Sequence, residues 1–217
     1  MRLPPGALSG EYKMQKLYPT KSVFDSLKKK YNMIPLFTKL RINEDVLSIY
    51  KKLRGRNTFI LHSSMADKEL GRYSFIGFEP FLIIKSKGMR IFVNNRQFSG
   101  NPIRFLREKL SLYRGFRHNR LPLFFGGAVG YFSYNAAHFF EKLPTMAVDD
   151  MNLSDTYFMF IDKSLIYDHL REELFIVALG SDYGQLTQRI SQIIKQIDVT
   201  PKHTSNKIMV GEWICKH

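Results

Sequence analysis

Residues 57–80 read NTFILHSSMADKELGRYSFIGFEP, and the alternation of types within them decides the fold class. An apolar run, Thr58-Phe59-Ile60-Leu61, breaks into His62-Ser63-Ser64, passes through Asp67-Lys68-Glu69, and resumes as Gly71-Arg72-Tyr73-Ser74-Phe75-Ile76-Gly77. Short apolar runs bounded by polar and glycine punctuation read as strand, loop, strand. A buried strand ending in hydroxyl residues offers side-chain oxygens at its tip, and Arg72 adds a fixed positive charge with five donors, so the pair suits an amino-acid ligand. The competing reading is a turn whose serine hydroxyls cap local backbone groups.

Working outward, the chain alternates helices with short strands. Thr20 precedes a helical pattern at Val23, Phe24 and Leu27, and Met33 to Leu40 alternates as a strand, which Pro35 confines to an edge or to its own first residues. Asn43 is expected to cap a helix from Glu44 to Leu53. Downstream, Phe81 to Lys85 and Met89 to Val93 form a hairpin, 94–97 a polar turn, and Asn101-Pro102 starts a helix to about Tyr113. In 121–135, LPLFFGGAVGYFSYN, the spacing of Gly126, Gly127 and Gly130 fits neither phosphate-loop pattern, so the glycines read as close backbone approach within a sheet. A helix is expected from Ala136 to Lys142. Runs at 156–162, 163–170 and 173–178 predict a three-stranded meander, and Leu186, Ile190, Ile193, Ile194 and Ile197 stripe a last helix, 183–197. The expectation is one α+β domain over 19–199, helices on a largely antiparallel sheet, with a lead-in at 1–18 and a polar linker or tail at 200–217.

Composition narrows the function. Of 217 residues, 44% are hydrophobic, enough for a packed core. The net charge of +14 invites a nucleic-acid reading, but the basic residues are scattered without a recognition signature and read as solvated faces. The single Cys215 forms no internal disulfide and fits a reducing, cytoplasmic setting. The six histidines show no metal-ligand spacing, and no run is long enough to span a bilayer. No catalytic residue, metal site, nucleic-acid partner or membrane partner is therefore expected. Asp168-His169 suggests a turn, since neighbours on a strand face opposite ways and no nucleophile is indicated beside them.

Three motifs carry a resemblance. Ile60-Leu61-His62-Ser63 with Gly71 to Gly77 is similar to the Leu-Leu-Glu-Ser and Gly-Arg-Tyr-Ser-Phe-(Ile/Leu)-Gly motifs of anthranilate synthase component I. Gly126-Gly127-Ala128-Val129-Gly130-Tyr131 running to Tyr134-Asn135 resembles that family's Gly-Gly-x-x-Gly-Tyr-x-x-Tyr-Asp, and Tyr167-Asp168-His169 its Phe-Asp-His. The resemblance implies an effector pocket for L-tryptophan that includes Leu61, His62 and Ser63, with Arg72 reaching the ligand carboxylate. It implies a structural role for Gly71, Tyr73, Ser74, Gly126, Gly127, Gly130 and Tyr134. His62 replaces the family's Glu, an imidazole where a carboxylate could pair with a ligand ammonium, and Asn135 replaces its Asp.

The family's reaction converts chorismate and ammonia, supplied from glutamine by an amidotransferase subunit, to anthranilate and pyruvate in tryptophan biosynthesis. By the same resemblance the chain is expected to end before the chorismate-binding portion. It would then carry no cofactor of its own, with Mg2+ implied only for that portion, and would act as a regulatory and docking part. Three alternatives stay open: the corresponding part of aminodeoxychorismate synthase component I, a free-standing amino-acid-binding module, and a basic interaction module whose affinity for nucleic acid would fall with salt.

Overall fold

The computed structural model describes residues 16–42, 44–55, 57–63, 71–141 and 151–198. Among the described residues ten strands form two five-stranded sheets, antiparallel throughout, with four α-helices. The elements are α1 (Lys21–Leu27), β1 (Ile34–Arg41), α2 (Val46–Leu53), β2 (Phe59–Leu61), β3 (Tyr73–Gly77), β4 (Leu82–Lys87), β5 (Arg90–Val93), β6 (Arg96–Ser99), α3 (Pro102–Ser111), β7 (Gly127–Phe132), a 3-10 helix (Tyr134–Phe139), β8 (Thr156–Ile161), β9 (Lys163–Asp168), β10 (Glu173–Gly180) and α4 (Tyr183–Asp198). The first sheet runs β1-β10-β9-β3-β2 and the second β6-β5-β4-β8-β7. The α+β class is as expected.

Burial follows from strand alternation. On the first sheet, Leu36, Leu40, Ile76, Leu165, Leu174 and Ile176 face α1, α2 and α4, whose Phe24, Ile49, Leu186, Ile190 and Ile193 complete the main core. The opposite face presents Phe37, Ile166, Phe175 and Val177 to Leu121 and Phe125. The second sheet packs Ile84, Ile91 and Phe160 against Leu106 of α3. Pro35 is the second residue of edge strand β1, where it interrupts no ladder on its outer side.

Four local expectations are corrected. The meander splits: β8 pairs with β4 and β7, while β9 and β10 belong to the first sheet. The chain changes sheets at Asp162, whose carbonyl accepts Leu179 N–H at 2.8 Å and whose carboxylate accepts Arg189 Nη1 at 2.7 Å. α2 is capped by Asp45, which accepts the backbone N–H groups of Leu47 and Ser48 at 2.9 and 3.0 Å; Asn43 lies outside the described residues. The polar stretch 96–99 is a strand, because the two-residue turn at Asn94, with φ 51°, returns the chain onto β5. After β7 comes a 3-10 helix with Asn135 inside it and Ser133 at its N-cap.

In the glycine-rich stretch the expected close approach holds at Gly126, against the Leu179 side chain and the Ile161 carbonyl, and at Gly130, but not at Gly127. A Cβ on Gly130 would collide with the Tyr157 carbonyl oxygen and Phe158 Cα across the β7–β8 ladder, whereas Gly127 has open space but a φ of 116°. β7 is nonetheless an edge strand, and Tyr131, Phe132 and Tyr134 stand 44%, 52% and 93% exposed.

Candidate functional site

The β2–β3 pair forms as expected, Phe59 to Leu61 registering against Gly77 to Phe75. β2 is a short edge strand rather than a buried one, and Leu61 is 47% exposed. Where β2 ends, the chain is tied down by Ser74, whose side chain is fully buried in β3. Its hydroxyl accepts the backbone N–H of Ser63 at 3.3 Å and lies 3.0 Å from His62 Nδ1 and 2.7 Å from His169 Nε2. A hydroxyl has one proton and two lone pairs. With Ser63 N–H occupying one lone pair, the full set is satisfied when one imidazole donates to Ser74 and the other accepts from it. Two protonated rings would leave the Ser74 proton without an acceptor, so this arrangement requires that the two imidazoles are not both charged.

His169 is held below the ordinary imidazole range, first by burial and then by the neighbouring His62, against the opposing pull of Asp168. A depressed histidine adds stability that is present above about pH 6.5 and is lost as pH falls through its folded value. His118, lowered by burial and then by Arg120, contributes in the same direction. The unfolding midpoint should therefore fall as the pH is taken from neutral to acid. His169→Asn should flatten that dependence to the His118 share; an unchanged profile in the variant would show that Ser74 is not read by His169.

Arg72 does not stand free at the loop tip. Its Nε and Nη2 donate to Asp168 Oδ1 and Oδ2 at 3.0 and 2.7 Å. Asp168 is 1% exposed. Burial alone would raise its carboxyl, but the Arg72 fork and the N–H groups of Leu170 and Arg171 outweigh that and hold it below the usual carboxylate range. Asp168 thus caps the β9–β10 turn, the expected role, and also anchors Arg72. The side chains of Asp168 and His169 do go to different groups, one to Arg72 and the other to Ser74. Leu61, His62 and Ser63 are contiguous, and the structure joins His62 and Ser63 to Ser74, expected to be structural, and through Ser74 to His169, expected in a turn. Their pairing depends on β3 lying beside β9, a neighbour relation 95 residues apart in the chain. Gly71 is buried ahead of β3, and the Tyr73 ring carries the Arg72 guanidinium 4.9 Å from its centroid.

The comparisons with known proteins agree with these motifs. A family model described as chorismate binding enzyme matches residues 57–213. The chain belongs to the chorismate binding enzyme family. Anthranilate synthase component 1 of Acetivibrio thermocellus is 31% identical over 207 residues, covering 88% of this chain and 42% of that protein. Aminodeoxychorismate synthase component 1 of Bacillus subtilis is 29% identical over 129 residues, covering 57% of this chain and 27% of that protein. The crystal structure of anthranilate synthase component I from Streptococcus pneumoniae TIGR4 superposes with a TM-score of 0.52 at 20% identity, over 73% of this chain and 36% of that one, which shows a shared fold.

The chain spans about two-fifths of the length of the curated relatives that it matches first. The expectation that it ends before the chorismate-binding part is not upheld, because the chorismate binding enzyme match occupies most of the chain. Among the described residues no group of three or more His, Cys, Asp or Glu side chains could hold a metal ion. No helix among them is long and apolar enough to cross a membrane.

Proposed function

We propose that this chain is the tryptophan-holding, regulatory part of an anthranilate synthase component 1, the chorismate-utilising enzyme that makes anthranilate and pyruvate with ammonia from a glutamine amidotransferase partner. The observation that carries the reading is the anchoring of Ser63: its backbone N–H is held by the buried Ser74 hydroxyl at 3.3 Å, which sets where the side chain at the end of β2 begins. A small polar group placed that way suits the amino-acid end of an effector, and the exposed Leu61 beside it offers apolar contact. Arg72, forked onto Asp168, would meet a ligand carboxylate only with donors beyond those two bonds. The exposed aromatic residues of β7 and the 3-10 helix, with Phe140 at 70%, suit contact with the remainder of such an enzyme.

Calorimetric titration of the full chain with L-tryptophan tests the reading. Saturable binding is expected, weakened about tenfold or more in Ser63→Ala, the scale of a lost hydrogen bond of about 1.5 kcal/mol. Binding that is indifferent to Ser63→Ala would remove Ser63 from the pocket. The second reading, aminodeoxychorismate synthase component 1, is favoured by the Bacillus subtilis relative.

A further inference from the structure

On the Phe37–Phe175 face of the first sheet, away from the Ser74 cluster, lies a cavity of about 480 Å³ bounded by Tyr18, Lys39, Arg72, Tyr73, Arg120 and Arg171 among others. Among the described residues four cations line it and no carboxylate does. Two of the four are neutralised from behind: Lys39 donates to Glu173 at 2.9 Å, and Arg72 is forked onto Asp168. Neither Arg120 nor Arg171 makes an ion pair among the described residues. Counted over the described residues, the site keeps an excess of about two positive charges.

Three of these cations are positioned before any ligand arrives. The Arg120 guanidinium lies 4.7 Å from the Tyr18 ring centroid, Arg72 lies 4.9 Å from that of Tyr73, and Lys39 Nζ lies 4.7 Å from that of Phe175. Arg171 starts from a backbone whose N–H is bound by Asp168 Oδ1 at 3.3 Å. Planar guanidinium groups brought together in a concave site match the oxygens of a phosphoryl group, and the volume exceeds what one phosphate fills.

We infer that this cavity binds a small molecule carrying two or more phosphoryl charges, with the Tyr18 and Tyr73 rings alongside its body. The inference does not rest on the tryptophan reading: Arg72 is common to both, but the two cations that carry the excess charge, Arg120 and Arg171, belong to this cavity alone. Arg120 and Arg171 are both exposed, so changing them leaves the core untouched.

The test is calorimetric titration of the full chain with inorganic pyrophosphate at about 0.15 M salt, where screening weakens diffuse surface attraction. Saturable one-site binding is expected, weakened about tenfold or more in the Arg120→Gln/Arg171→Gln variant while its circular dichroism and unfolding midpoint match the parent. Absence of saturable binding would overturn the inference, as would equal affinity in the variant. Citrate binding as tightly as pyrophosphate would overturn the phosphoryl assignment. Binding of polyglutamate in preference to pyrophosphate would reassign the surface to an acidic protein partner.

Discussion

Arg72→Met is expected to destabilise the protein by about 3 kcal/mol at neutral pH, lowering the unfolding midpoint by several degrees. The size of the effect comes from what the substitution leaves behind. Asp168 is 1% exposed, and without the guanidinium it keeps, among the described residues, the Leu170 and Arg171 N–H groups at 3.1 and 3.3 Å. A buried carboxylate so stripped either remains charged at high cost or takes up a proton. Arg72 is itself 29% exposed, which places the cost at the lower end for a broken buried pair.

The pH dependence follows from sign. The folded Asp168 pKa lies below 3.8, so its contribution is present above that value and is lost as pH falls through the folded value. The gap between parent and Arg72→Met should therefore close in acid. Replacing both partners, Arg72→Met with Asp168→Leu, should recover much of the loss, because no uncompensated charge then remains. A double variant as unstable as the single one would show that the pair does more than neutralise itself.

Gly130→Val should cost about 3 kcal/mol, read as a lower urea midpoint. Valine suits a strand in general, yet here its Cβ would enter the Tyr157 carbonyl and the Phe158 Cα, backbone atoms that cannot rotate away. The β7–β8 ladder would have to part, and β8 is the strand that holds β7 to β4. Gly127→Ala provides the contrast. With open space around the new methyl but a φ of 116°, it should cost about 1 kcal/mol from backbone strain alone. Equal costs at the two positions would contradict the close-approach explanation.

Much of the fold was legible because local physics decided it. The β2–β3 pair, α1, α3 and α4 announce themselves through apolar period, Asn101-Pro102 and flanking turns, and the structure keeps them. What escaped was decided by partners distant in the chain. Nothing local in residues 156–178 says that β8 leaves its neighbours for β4, since an apolar strand can pair with either sheet. Asn43 and Asp45 both precede the α2 pattern, and both are good caps, so composition could not choose between them.

The site was half legible for the same reason. Leu61, His62 and Ser63 are contiguous and were read together, whereas Ser74 and His169 become their partners only once β3 lies against β9. Arg72 read as a ligand-facing cation because sequence does not display Asp168 beside it. The cavity around Arg120 and Arg171 gave no local signal, since its cations come from four separate segments.

The central claim is that the end of β2, tied through Ser74 to His169, receives an amino-acid effector. Magnetic resonance of the imidazole rings of the full chain, recorded as L-tryptophan is added, tests it most directly. The account predicts that the His62 and His169 signals move together and saturate, while the His118 signal, on the Phe37 ring of the opposite face, stays in place. His62 and His169 signals that do not move at saturating L-tryptophan would contradict it.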